Sequence, residues 1–389
     1  MARMSDRIRS IAPGGDDGWG IFHAARALEE AGVEIVNLTV GDHDIRTDPA
    51  ILAAMDDAAR GGATGYAALH GIPELRTAIA KRVQERTGVA TSPANVLVTT
   101  GGQAALFYAV MGAAEPGERV LYPDPYYATY PGTVRAAGAV PLVVPTRAEA
   151  GFQPERSSLE AAGEAAAILI NSPNNPTGAI YSRDTLDTLA EVARAGDMWV
   201  ISDEVYDTQI WSGAHLTPRA LPGMDARTLV VGSMSKSHAM TGSRIGWLVG
   251  PEDAIEALSA AAVHTTYGVA GFVQAAALFA LGLGPDFETR VAAPFAARRD
   301  VCLAALERTS VRAVPSGGAM YLMLDIRASV LDAPAFAARL LDEKRIAAMP
   351  GDSFGRAAEG HLRIALTRPE AELTAAIAQI ANLVEETRP

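Results

Sequence analysis

The sequence predicts an α/β protein with a three-layer large domain on a seven-stranded, mostly parallel sheet, plus a smaller α+β domain. Three observations carry this. Apolar runs and helical patterns alternate from Val96 to Val249, the pattern of a parallel sheet with helices on its faces. Short polar clusters follow four of those apolar runs, and parallel sheets bind ligands beyond the carboxyl ends of their strands. Beyond Pro285 the texture changes to a long Ala/Arg helical pattern, then short strands and helices. A length of 389 residues suits two or three domains, and 49% hydrophobic residues can fill a sizeable core.

The elements follow in chain order. Ile21, Ala24, Ala25 and Leu28 mark a helix over 17–32, stopped by Gly32. A short strand over 34–38 leads into a turn-rich loop, 39–44. Pro49 opens a helix with Ile51, Leu52 and Met55 on one face. Pro73 opens another, with Leu75, Ile79 and Val83 at i, i+4 spacing. Strands are expected over 96–99, 120–122, 140–144, 167–170, 199–202, 229–232 and 245–249. An apolar helix is expected over 105–111, and another over 182–195 with Ser182 as its N-cap. After Pro285, a helix should run to Arg308, followed by strands over 311–314 and 321–325. A helix over 334–344, a strand over 361–366 and a last helix from Pro369 to Glu386 complete the chain.

Composition narrows the function classes. A net charge of −12 with no Lys/Arg cluster argues against nucleic-acid binding. One cysteine, Cys302, permits no intrachain disulfide, which fits a reducing cytoplasm, and it reads as an inert core residue. The arginine-bearing N-terminus has no apolar stretch behind it, so no secretory signal is expected. The uncharged segment 265–284 contains Gln274 and internal glycines and reads as a buried helix, not a membrane span. Seven histidines show no metal-ligand spacing, so no metal is expected.

The chemistry concentrates in Ser233-Met234-Ser235-Lys236, which follows the apolar run Leu229-Val230-Val231, with Arg244 eight positions on. A lysine that forms a Schiff base must lose its proton near neutral pH, and desolvation and a nearby cation both favour that. Hydroxyls and an arginine suit a phosphate dianion. Together they offer what pyridoxal 5′-phosphate needs. Asn171-Ser172-Pro173-Asn174-Asn175-Pro176-Thr177-Gly178 is a rigid turn at another strand end. Ser202-Asp203-Glu204-Val205-Tyr206 ends a third strand, and Gly101-Gly102-Gln103-Ala104 follows a fourth and opens a helix, where backbone N–H groups favour an anion.

These stretches, with Thr241-Gly242-Ser243-Arg244-Ile245-Gly246-Trp247, resemble the motifs of class I aminotransferases, the fold-type I pyridoxal-phosphate enzymes, in family order from Gly41 to Arg363. The resemblance implies pyridoxal 5′-phosphate as cofactor and a ping-pong transfer from an L-amino acid to a 2-oxo acid. It makes Lys236 the cofactor lysine and catalytic base, and sets Asp203 against the ring nitrogen. Asn175 and Tyr206 bond the ring's 3-oxygen, and Tyr127 covers its face, where many members carry Trp or Phe. Gly102, Gln103, Ala104, Ser233 and Arg244 hold the phosphate. Tyr66 reaches a partner's phosphate in a homodimer with shared sites. Arg363, with Asn175 and the backbone of Gly41, binds the substrate α-carboxylate. Residues 47–285 then form the large cofactor-binding domain, and residues 1–46 with 286–389 the small one.

Tyr126 and Tyr130 are expected only to pack, and Glu204 to serve structure. His238 reads as a packing residue. His43 stands where the family's loop has proline, and reads as a solvated loop residue. Leu221-Pro222-Gly223-Met224 and the lysine stretch look like the arginine–pyruvate branch. The donor is open among basic, acidic and aromatic amino acids. The runner-up is a β-eliminating lyase on the same scaffold. A cofactor-bound transcription regulator is disfavoured, since the residues before Gly41 hold no basic recognition helix.

Overall fold

The computed structural model describes residues 3–13 and 18–389. Seven strands form one sheet in the spatial order Val96–Thr99, Gly246–Val249, Thr228–Ser233, Trp199–Asp203, Ala167–Asn171, Arg119–Pro123, Val140–Val144. All run the same way except Gly246–Val249, which is antiparallel to both neighbours. The expected seven-stranded, mostly parallel sheet is therefore present.

Strands buried on both faces read as continuous apolar runs. Along Ala167–Asn171, Ala167 and Leu169 pack with helix Gly102–Ala113 on one face, while Ile168 and Ile170 pack with helix Arg183–Ala195 on the other. Helices Pro49–Arg60, Pro73–Thr87 and Gly271–Gly282 bury Ile51, Ile79 and Ala277 against Val96, Val98 and Val230. Each fully buried leucine or isoleucine stabilises the fold by roughly 1.5–3 kcal/mol. Ser182 caps its helix as expected: its Oγ accepts from the Thr185 N–H at 3.1 Å.

A second assembly holds an antiparallel sheet ordered Met349–Pro350, His361–Ala365, Tyr321–Asp325, Arg312–Ala313. Val36–Asn37 pairs in parallel with Ile346–Ala347 nearby, which draws the N-terminal segment to the C-terminal part of the chain. Phe295, Cys302 and Leu306 from helix Gly284–Leu306 pack there against Phe336, Leu340, Ile377 and Ile380. The start of that same helix, at Phe287 and Val291, packs with the large sheet's helices.

Two expectations need correction. The uncharged segment 265–284 is not one helix. Helix Glu252–Thr265 ends at its start, Tyr267 and Gly268 take positive φ of 58° and 84°, and a new helix begins at Gly271. The helix expected over 105–111 spans Gly102–Ala113, so the glycine turn is already its first turn. The helix expected over 17–32 is observed as Gly20–Glu30, and position 17 lies outside the described residues. Among the described residues no helix is long and apolar enough to cross a membrane.

Candidate active site

The sheet aims three strand ends at one place. Asn171 and Asp203 are register partners, Asp203 pairs with Val231, and Ser233 ends the next strand. Ser233 then caps a four-residue helix, Met234–Ser237, its Oγ accepting from the Ser235 N–H at 3.0 Å. That abrupt strand-to-helix change presents Lys236 to a cavity of about 400 Å³. Asn171 ties the neighbouring turn in place. Its Oδ1 accepts from the Asn175 N–H at 2.7 Å, and its Nδ2 donates to the Asp203 carbonyl at 2.9 Å.

Of the thirteen residues the sequence marks for the site, all but Ala104 and Tyr66 line this cavity. Lys236 Nζ donates to the Gly41 carbonyl. Burial of the amine is the largest effect on it and lowers its pKa; Tyr321 and Asp42 raise it, while Arg363 and Arg244 lower it further, and the net shift is downward. Asp203 is buried, and burial pushes its carboxyl up to about 6 against hydrogen bonds from the Tyr130 hydroxyl and the Val205 N–H. Arg363, 1% exposed, is held between the rings of Tyr321 and Phe354, each centroid 4.5 Å from its guanidinium carbon. Its Nη1 donates to Asn175 Oδ1 at 2.9 Å, which leaves the Asn175 amide nitrogen free to donate elsewhere. Its Nη2 donates to the Thr39 carbonyl, and its Nε has no protein partner.

Helix Gly102–Ala113 points its N-terminus at the cavity. Gly101 before it has φ +84°, and a Cβ there would fall 2.5 Å from Arg244 Nη2. Gln103 is held by Thr133, to which its Nε2 donates at 2.7 Å. Ala104 lines an adjoining cleft of about 1030 Å³ instead. Tyr127 lines the cavity, edge-on to Tyr130 at 5.8 Å. Tyr66 is 90% exposed and stands outside, edge-on to the exposed Tyr267 at 4.9 Å.

Several residues were missed or misjudged from sequence. Tyr130 does more than pack: its hydroxyl donates to Asp203 Oδ2 at 2.7 Å. Tyr321 lies 3.0 Å, hydroxyl to hydroxyl, from Tyr206, and a Cβ at Gly41 would fall 2.0 Å from its oxygen, so only glycine fits there. Its signal lay in the two strands already legible: with Tyr321 opposite Ala365 and Met323 opposite Arg363, Tyr321 and Arg363 share a face. Trp19 and Asp42 also line the cavity. His43 is not solvated. It sits edge-on to Phe295 at 5.1 Å, both ring nitrogens are buried without partners, and burial lowers its pKa to about 4. His238 packs as expected, stacked on Phe287 at 5.5 Å. Glu204 accepts from Ser202 Oγ at 2.8 Å and meets His215 Nε2 at 3.0 Å.

Comparison with known proteins agrees with this geometry. Residues 33–380 match the family of class I and II aminotransferases. The chain is 39% identical over 388 residues to arginine–pyruvate transaminase AruH of Pseudomonas aeruginosa, covering 99% of this chain and 98% of that protein. It is 35% identical over 392 residues to aspartate/prephenate aminotransferase of Thermus thermophilus, covering 99% of each. The solved aspartate aminotransferase from Thermus thermophilus with maleate superposes with a TM-score of 0.92 at 34% identity, over 98% of this chain and 100% of that one.

The chain belongs to the class I and II aminotransferases. It is a transaminase acting on amino acids and 2-oxo acids, and pyridoxal 5′-phosphate is its cofactor. The residues present fit that group: an amine with a lowered pKa, a buried carboxylate, a helix N-terminus beside an arginine, and an asparagine with a spare N–H meet in one cavity.

Proposed function

We propose that the chain moves the amino group of a basic L-amino acid to a 2-oxo acid, in two half-reactions at the Lys236 cavity. The observation that carries the site assignment is the convergence of Lys236, Asp203 and Arg363 on one cavity from three separate elements. When bound, pyridoxal phosphate supplies the sink for the electrons released at the substrate's α-carbon. The N–H groups of Gly102 and Gln103, with Ser233 and Arg244, would hold its phosphate at the helix N-terminus. Asp203 would hold the ring nitrogen, Tyr127 would cover the ring, and the Asn175 amide and Tyr206 hydroxyl would serve its 3-oxygen. Arg363, aligned by Asn175 and its two aromatic neighbours, clamps the α-carboxylate together with the Gly41 backbone. Lys236 Nζ, whose pKa burial lowers, would take the α-proton and later release it, acting as base and then as acid. Sharing one site between two half-reactions gives ping-pong kinetics, seen as parallel initial-rate lines.

Two supports favour a basic donor. The relative at 39% identity is named an arginine–pyruvate transaminase. In the cavity, Arg244 and Arg363 each have an assigned anion and Lys236 serves as the base, whereas Asp42 is exposed and bonded only to the Thr241 hydroxyl, at 2.7 Å. We further propose a homodimer in which Tyr66 completes the partner's phosphate site, a cytoplasmic location in keeping with the lone thiol, and a division into residues 47–285 and residues 1–46 with 286–389.

The test is to titrate the cofactor-loaded protein with single amino acids, without a 2-oxo acid, and follow the visible band. L-arginine should bleach it faster than L-aspartate or L-phenylalanine. A faster response to L-aspartate would remove the donor assignment. Pyruvate accumulating while the band persists would indicate elimination instead of transfer.

A further inference from the structure

The turn that joins the strands Met349–Pro350 and His361–Ala365 carries one side of the Arg363 clamp. Phe354, fully buried, ends the single-turn helix Gly351–Phe354, and its ring is one of the two that hold the guanidinium. A second single-turn helix, Arg356–Ala358, follows after Gly355. One turn forms too few hydrogen bonds to offset the cost of ordering it. The place of Phe354 is therefore set from outside the turn.

The large sheet sets it. Strand Arg119–Pro123 runs into Asp124, whose N–H donates to the Val144 carbonyl at 2.9 Å and whose carbonyl accepts from the Thr146 hydroxyl. Anchored in this way, Asp124 is 5% exposed, and its Oδ2 accepts from the Ala357 N–H at 3.1 Å. Two residues on, the Tyr126 N–H donates to the Phe354 carbonyl at 2.9 Å. Gly355 lies between these two bonds at φ +110°, and a Cβ there would collide with Asp124 Oδ1. Burial pushes the Asp124 carboxyl up to about 6, against the N–H groups of Ala357 and Arg356. Tyr127, the next residue of the same stretch, lines the Lys236 cavity. Residues 124–127 thus grip the back of the clamp and reach the cofactor cavity in one short run.

We propose that Asp124 is the positioning residue of the substrate clamp: through the turn 354–357 it sets where Phe354, and so Arg363, stands relative to the cofactor ring. Asn175 and the Thr39 carbonyl hold the ends of the guanidinium, while the rings of Tyr321 and Phe354 fix its plane. A paired hydrogen bond to a carboxylate depends on that plane. The proposal rests on the reading of Arg363 as the α-carboxylate clamp. It adds a residue that touches neither substrate nor cofactor.

The test is the half-reaction of the cofactor-loaded protein, followed by its visible band. The probe is the amino acid that bleaches the band fastest in the titration above, expected to be L-arginine. Asp124→Ala should raise the half-saturating donor concentration by about ten- to a hundredfold, the scale of a misplaced binding group, and leave the limiting rate within about threefold. Asp124→Asn keeps an oxygen for the Ala357 N–H and should return close to the wild-type value. Gly355→Ala spoils the same contact from the other side and should match Asp124→Ala, which guards against one variant failing to fold. In an Arg363→Gln background Asp124→Ala should raise the half-saturating concentration no further, because residues acting through one another do not add. An unchanged half-saturating concentration in both Asp124→Ala and Gly355→Ala, with Arg363→Gln impaired, would overturn the proposal alone. A full additional loss in the double variant would do the same. Normal donor binding by Arg363→Gln would instead remove the clamp reading, and the proposal with it.

Discussion

Asp203 shows how much a single buried carboxyl can report. With its pKa at about 6 against 3.8 for an exposed carboxyl, the folded chain holds the proton more tightly than the unfolded one. Without a cation opposite, the stability this group contributes is complete below about pH 4 and is lost as pH rises through 6. A protonated ring nitrogen placed against Asp203 removes that loss. The rise in melting temperature caused by pyridoxal phosphate should therefore grow between pH 4 and 7 in the wild type and stay flat in Asp203→Asn. Equal increments in both would place the cofactor nitrogen elsewhere. Tyr130 belongs to the same unit. Tyr130→Phe removes a hydrogen bond to a buried carboxylate and should cost about 1.5–3 kcal/mol, measured by urea unfolding. A change near zero would mean the hydroxyl is only a packing ornament. The sequence displayed Asp203 through its place after an apolar run. It hid Tyr130 and Tyr321, because their partners lie 73 and 115 positions away and no local spacing encodes such pairs. His43 was misread for a related reason: a polar residue in a turn-rich loop looks solvated until Phe295 is placed beside it.

Between elements, a partly buried quartet of charges, with Glu288 buried and Arg86 at its exposed edge, carries the heaviest load. Arg82 and Arg86 from helix Pro73–Thr87 bind Asp207 after the Asp203 strand and Glu288 from helix Gly284–Leu306. Burial works against Asp207, but the two arginines hold its carboxyl down to about 2. Its contribution is thus present above about pH 4 and lost as pH falls through 2. Glu288→Gln strands part of the buried positive charge and should destabilise by about 3–5 kcal/mol. Glu191→Gln, which breaks the exposed pair with Arg156, should change stability by less than about 1 kcal/mol. Similar losses in both variants would show that burial is not the deciding factor. Elements were legible where chemistry marks an end, as at Pro49, Pro73 and Ser182. Two short strands, Ile346–Ala347 and Met349–Pro350, were not read, since two residues carry no periodicity of their own and no apolar run set them apart. The break at Tyr267 and Gly268 was equally silent, because an uncharged run does not advertise a change of backbone sign.

For the whole molecule, the exposed Tyr66–Tyr267 pair bears on assembly. Mixing Tyr66→Ala chains with Lys236→Ala chains should restore turnover that neither parent shows, because a mixed dimer keeps one complete site. Mixtures no more active than their parents would confine each site to one chain. The sole cysteine offers a different view of the same molecule. Cys302 is 0% exposed in the core shared by helix Gly284–Leu306 and the C-terminal helices, and burial pushes its thiol up to about 12. A thiol that is both hidden and protonated reacts only when that core opens. Its rate of alkylation is then a built-in clock for the opening of the C-terminal half, readable by mass spectrometry in a crude extract without any engineered label.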